Sequence, residues 1–135
     1  MRLPNMPAKL SKAVLLLLAV SAVQPTQAEP SAAPSFNDVY RVLRNNCIAC
    51  HNAADPQGGL ILTRDVAPGN LVDQKAVGAN APLVAPGKPE ESYLLAKMLG
   101  THAEMDGSGF QMPISGQLRD DEIEVVRQWI GAGAK

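Results

Sequence analysis

The stretch Asn45-Asn46-Cys47-Ile48-Ala49-Cys50-His51-Asn52 holds both cysteines of the 135-residue chain and one of its two histidines. Two thiols three positions apart on one helical turn can both reach along one side of a flat macrocycle. The imidazole that follows then projects beneath its centre. This is the C-x-x-C-H pattern of covalent c-type haem attachment. Two cysteines scattered at random in such a chain would land at this spacing, with histidine next, in roughly two cases in ten thousand, so accident is a poor account of the match. The other uses of two cysteines fare worse. A disulfide between Cys47 and Cys50 closes too short a loop to stabilise much. A thioredoxin-like redox pair belongs with a βαβ sheet, which this sequence does not signal. A zinc site would need a fourth ligand that only His102 or a carboxylate could supply. The motif therefore predicts one covalent haem c on Cys47 and Cys50, with His51 as an axial ligand of the iron.

Toward the N-terminus, the motif is preceded by a helix pattern. Phe36, Val39, Tyr40 and Leu43 recur at i, i+3, i+4 and i+7 and form one apolar stripe. Ser35 with Asp38 three residues on is close to a capping box, so the helix is predicted to run from there to about Asn46. Glu29 to Pro34 reads as a flexible linker over 29–34. Residues 1–28 read as a signal peptide: Arg2, Lys9 and Lys12 form a basic start, an apolar run begins at Ala13, and Ala28 suits cleavage. The expected location is periplasmic or otherwise exported, with membrane association only if that segment stays uncleaved.

Toward the C-terminus, residues 52–87 show little periodicity but carry Leu60, Leu62, Leu71, Val72, Leu83 and Val84. That composition predicts a folded loop region wrapped over something, with Pro68-Gly69, Gly78 and Pro82 breaking any helix that starts. A second helix is predicted from Pro89 at its first position, with Leu94, Leu95, Met98 and Leu99 on its apolar face and Gly100 just past its end. Thr101 to Gln117 reads as another loop. The last helix opens on Asp120, Asp121 and Glu122, presents Ile123, Val126 and Ile130, and ends at Gly131. Trp129 beside that stripe reads as packing between the terminal helices. The predicted fold class is all-α, three to four helices with long loops.

Composition narrows the function. The signal peptide takes three basic residues with it, leaving nine Lys and Arg against 13 Asp and Glu, a net of −4. Such a chain has no electrostatic footprint for nucleic acid or an anionic membrane surface. A chain this small, with 11 Gly and 11 Pro, buries a marginal core of its own, so a bound group filling its centre makes physical sense. No nucleotide loop, triad or acid/base pair stands at a recognisable spacing, so no enzyme activity is expected.

The candidates for a second iron ligand are the soft or imidazole side chains beyond the motif: Met98, Met105, Met112 and His102. Met98 sits on the stripe of Leu94 and Leu95, where core filling is its ordinary role. Met112 has the backbone in its favour. Pro113 holds the residue before it extended, and Gly107 and Gly109 let their loop approach a flat ring closely. Met112 is thus the expected ligand, and His102 a hydrogen-bonded loop histidine. Leu60 and Leu62 are expected against the proximal face of the ring, with the His51 ring N–H donating to a carbonyl in the loop before Leu60.

With these pieces in view the chain resembles the single-haem class I cytochromes c, most closely the planctomycete-type branch. The resemblance runs from about Phe36 to Ala134. Its segments are CIACH at 47–51, GGLIL at 58–62, VAPGKPEESYLLAKMLGTH at 84–102, GSGFQMP at 107–113 and EIEVVRQWIGAGA at 122–134. It implies the class I cytochrome c fold wrapped round one haem, with the first and last helices crossing. It also implies that the sulfur of the Met-Pro pair, here Met112, is the second axial ligand, and that the role is electron transfer. Two features depart from the family: Arg119 stands where Ser or Thr usually opens the last helix, and the stretch Ile114 to Gln117 is short. The expected partners are redox proteins, an oxidase, a dehydrogenase or a peroxidase, met by a monomer. The rival expectation is a haem-based ligand sensor or peroxidase-like protein with an open sixth position.

Overall fold

In the computed structural model, which describes residues 32–135, the first apolar stripe becomes helix α1, Phe36–Asn46. Ser35 caps it: its amide and hydroxyl both donate to the Asp38 carboxylate, at 2.9 and 2.7 Å. These bonds hold the Asp38 carboxyl below its ordinary value. Val39, Val42 and Leu43 are buried, while Phe36 and Tyr40 flank them half-buried. The predicted signal peptide, 1–28, and the linker up to Ser31 lie outside the described residues. Residues 32–34 form no regular structure. Among the described residues no helix is long and apolar enough to cross a membrane.

The segment after the motif is folded throughout. A 3₁₀ turn at Gln57–Gly59 and a five-residue helix α2, Ala67–Leu71, lie within it. Helix α2 corrects the expectation that Pro68-Gly69 would break any helix. Proline is tolerated in a first turn, where its missing N–H has no helical partner to lose, and Pro68 sits there. Beyond α2 the chain doubles back through isolated bridges, Val72 to Val84 and Lys75 to Pro82. Leu62, Leu71 and Val84 are buried.

The helix predicted from Pro89 is divided in two. Pro89–Glu91 is a 3₁₀ turn, and helix α3 proper spans Tyr93–Leu99. The break falls at Ser92, which is fully buried and takes up backbone groups instead. Its hydroxyl accepts from the Ala85 amide and donates to the Lys88 carbonyl, both at 2.9 Å. Gly100 ends α3 at φ 80, a left-handed conformation in which a Cβ would meet the Gln111 side chain at 2.9 Å. A 3₁₀ turn, His102–Met105, occupies the start of the segment expected to be loop.

Helix α4 spans Asp120–Gly131. Arg119 supplies no capping oxygen, but its amide donates to the Glu122 carboxylate at 3.1 Å, and its guanidinium pairs with Asp121 at 2.9 Å. The helix start is therefore held from its own first turn. Val126, Trp129 and Ile130 face inward. Helix α4 packs on both α1 and α3. Trp129 stands 5.8 Å from the Phe36 ring, centroid to centroid, and its indole N–H donates to the Lys135 carbonyl at 3.0 Å. An ion pair from Arg127 to Glu90 ties α4 to the turn before α3. The described chain is all-α, and its extended pairing is confined to isolated bridges.

Candidate functional site

Helix α1 ends at Asn46, and hydrogen-bonded turns carry the chain on through the motif. The amides of Cys47 and Ile48 both reach the Leu43 carbonyl, at 2.8 and 3.1 Å, and those of Cys50 and His51 reach the Cys47 carbonyl, at 3.1 and 3.0 Å. Both thiols thus stand on one turn, Cys47 partly buried and Cys50 exposed, and both are free. Burial, helped by the charge of Glu122 and by Cys50, pushes the Cys47 thiol up to about 11.

Beyond the motif, the Leu62 amide donates to the His51 carbonyl at 2.9 Å. The His51 side chain departs from expectation. Its Nδ1 is buried and has no hydrogen-bond partner, although a carbonyl of the loop before Leu60 was expected to take it. In the 3₁₀ turn there, the carbonyls of Pro56 and Gln57 accept from the amides of Gly59 and Leu60, at 2.8 and 3.3 Å. Asn46, to which no sequence pattern drew attention, closes the end of α1. Its amide group donates to the Val42 carbonyl at 2.9 Å and to Glu122 of α4 at 3.1 Å.

The loop that carries Met112 is pinned along its length. The Met112 amide donates to the Lys97 carbonyl at 2.8 Å, and Gln111 donates from its side chain to the Met98 carbonyl at 2.9 Å. His102 Nε2 lies 2.8 Å from the Gly109 carbonyl, which can only accept, so the ring proton resides on Nε2. The Gly107 amide returns to the His102 carbonyl at 2.9 Å, and the Ser108 amide to Gly78 at 3.1 Å. Gly107 has no room for a side chain. A Cβ there would lie against the His102 carbonyl and 2.7 Å from the Tyr93 hydroxyl. Gly107→Ala is therefore expected to cost about 1–3 kcal/mol by overpacking. A thermal melt of the purified variant should show the loss as a lowered midpoint.

Cys47, Cys50, His51 and Met112 all line one cavity of about 870 Å³. Its walls are mostly apolar, with Leu60, Leu62, Leu83, Leu94 and Met98 among them, and Val77 and Ile114 stand exposed at its rim. The size falls toward the upper end of the roughly 300–1,000 Å³ that ligand and cofactor sites occupy. Of the other candidate ligands, Met98 also reaches the lining, while Met105 and His102 do not. Two thiols on one turn, an imidazole, a thioether and an apolar enclosure could hold a covalently joined macrocycle. The zinc alternative finds no such support: among the described residues no three His, Cys, Asp or Glu side chains are grouped to hold a metal ion.

No protein-family model, curated protein or solved structure matches the chain. The reading of the site therefore stands on its own residues and geometry.

Proposed function

We propose that this protein is an exported electron carrier of the class I cytochrome c type. It joins one haem c through Cys47 and Cys50 and offers His51 and Met112 as axial ligands. The observation that carries the proposal is the meeting of all four side chains on one apolar cavity, although Met112 lies 61 positions beyond His51. When bound, the haem supplies an iron couple that takes up and releases one electron.

The chain's own residues do the rest. Cys47 and Cys50 anchor at two points, so the group stays in place even if an axial ligand lets go. His51 is delivered by the turn that holds the thiols, and Met112 by its amide bond to the Lys97 carbonyl. A thioether ligand favours the ferrous state and raises the potential. With the group bound, the apolar walls would exclude water from it and reinforce that preference.

A visible spectrum of the full chain, expressed with its own export signal and measured oxidised and reduced, tests the proposal. A low-spin spectrum that carbon monoxide does not change is expected, with the colour surviving denaturation and acid extraction. A high-spin spectrum that shifts with carbon monoxide would favour the sensor or peroxidase-like reading. Absence of haem would end both.

A further inference from the structure

The cavity lining contains two charged side chains, Lys75 and Lys97, and no carboxylate. That asymmetry runs against a chain with more acidic residues than basic ones. Lys97 is partly buried on α3. Its Nζ donates to the Ser108 carbonyl at 3.0 Å and lies 5.9 Å from the centroid of the Tyr93 ring. Neither Lys97 nor Lys75 takes part in an ion pair among the described residues. An ammonium carries three donors, and the carbonyl of Ser108 occupies one on Lys97. A cation drawn partly out of water with only a carbonyl and a ring face for company is under-compensated, and an anion from the cavity would correct that.

The two lysines stand on connected backbone. Lys75 is bridged to Pro82, and the Pro82 carbonyl accepts from the Tyr93 amide at 3.0 Å. Lys97 follows Tyr93 by one helical turn. We infer that Lys97, supported by Lys75, forms the carboxylate-binding end of the cavity and pairs with the propionate groups of the haem. This rests on the haem reading above and adds to it an orientation. The macrocycle would lie with its two carboxylates toward Lys97 Nζ and the Tyr93 ring. Because the Lys97 carbonyl also holds the Met112 amide, the residue that receives a carboxylate is the one that positions the second axial ligand.

The test uses the full-length holoprotein matured with haem ¹³C-labelled at its carboxyl carbons and with lysine ¹⁵N-labelled at Nζ. In the unmutated protein a dipolar coupling between a lysine Nζ and a haem carboxyl carbon is expected. In Lys97→Gln that coupling should be lost and one carboxyl resonance should shift, with the low-spin spectrum retained. Lys97→Arg should return the resonance toward its original position, because the charge is restored. Lys75→Gln should move the carboxyl resonances less. A holoprotein with no lysine–carboxyl coupling, or with both resonances unmoved in Lys97→Gln, would overturn the inference and leave the haem reading intact. A chain that holds no haem at all would overturn both. If Lys97→Gln does not mature, Lys97→Arg keeps the charge but lacks the labelled Nζ, so loss of the coupling there assigns it to Lys97 and its persistence overturns the inference.

Discussion

Replacing Cys47 and Cys50 together by serine is expected to abolish covalent haem and to leave little folded protein. The two residues are the only thiols in the chain, so no other attachment is available. The larger effect is on stability. Of the cavity's apolar lining, Leu60 and Leu83 are only half-buried by the polypeptide itself, so without a bound group they meet water, whereas Leu62, Leu94 and Met98 stay buried. Moving one such side chain from full burial to exposure costs about 1.5–3 kcal/mol. Even partial wetting of these two takes a share of the ~5–15 kcal/mol by which a domain is stable at all. A group that binds only the folded state contributes its binding free energy to folding, and the double variant forfeits it. Far-ultraviolet circular dichroism and a thermal melt of the purified double variant check this. A haem-free protein with full helicity and a cooperative melt would show that the polypeptide needs no bound group.

The second large effect is expected at Met112. Met112→Ala should keep its covalent haem, since Cys47, Cys50 and His51 are untouched, but should open the iron to outside ligands. If Met112 holds the sixth position about 99% of the time, its removal raises the apparent affinity for imidazole or carbon monoxide about 100-fold. The reduction potential should fall, because the thioether that favoured the ferrous state is gone. The structure separates this variant from its controls. Met105→Ala lies away from the cavity and should leave ligand affinity unchanged. His102→Ala removes the anchor on the Gly109 carbonyl, so it should lower the melting temperature while the low-spin spectrum persists. A Met112→Ala spectrum indistinguishable from that of the unmutated protein would end the His/Met assignment. Opening of the iron in His102→Ala alone would point to two histidine ligands.

Much of the local structure was legible because it depends on residues a few positions apart. The stripe from Phe36 to Leu43, the Ser35–Asp38 cap and the glycine after Leu99 each act within one or two turns, and the structure has a helix end or helix face at each. The misreadings share a cause. Pro68 reads as a breaker because a proline inside a helix costs a hydrogen bond, yet in a first turn there is none to lose. The helix from Pro89 was read as continuous because nothing in its own sequence reveals that the Ser92 hydroxyl will serve the Ala85 amide.

The sequence by itself determined the chemistry on offer: two thiols and an imidazole at a spacing that only one turn of backbone needs to satisfy. It also singled out Met112 among the soft side chains, through Pro113 and the two glycines before it. What only the tertiary structure decided is which groups share a space. The Met112 amide on the Lys97 carbonyl, Asn46 clamped to Glu122, the unpartnered Nδ1 of His51 and the two unpaired lysines at one cavity all join segments distant along the chain. Such contacts arise when helices α1, α3 and α4 bury their stripes against one another. The cavity is a gap lined by the motif turn, the loops on either side of α3 and α3 itself, and no single segment encodes a gap.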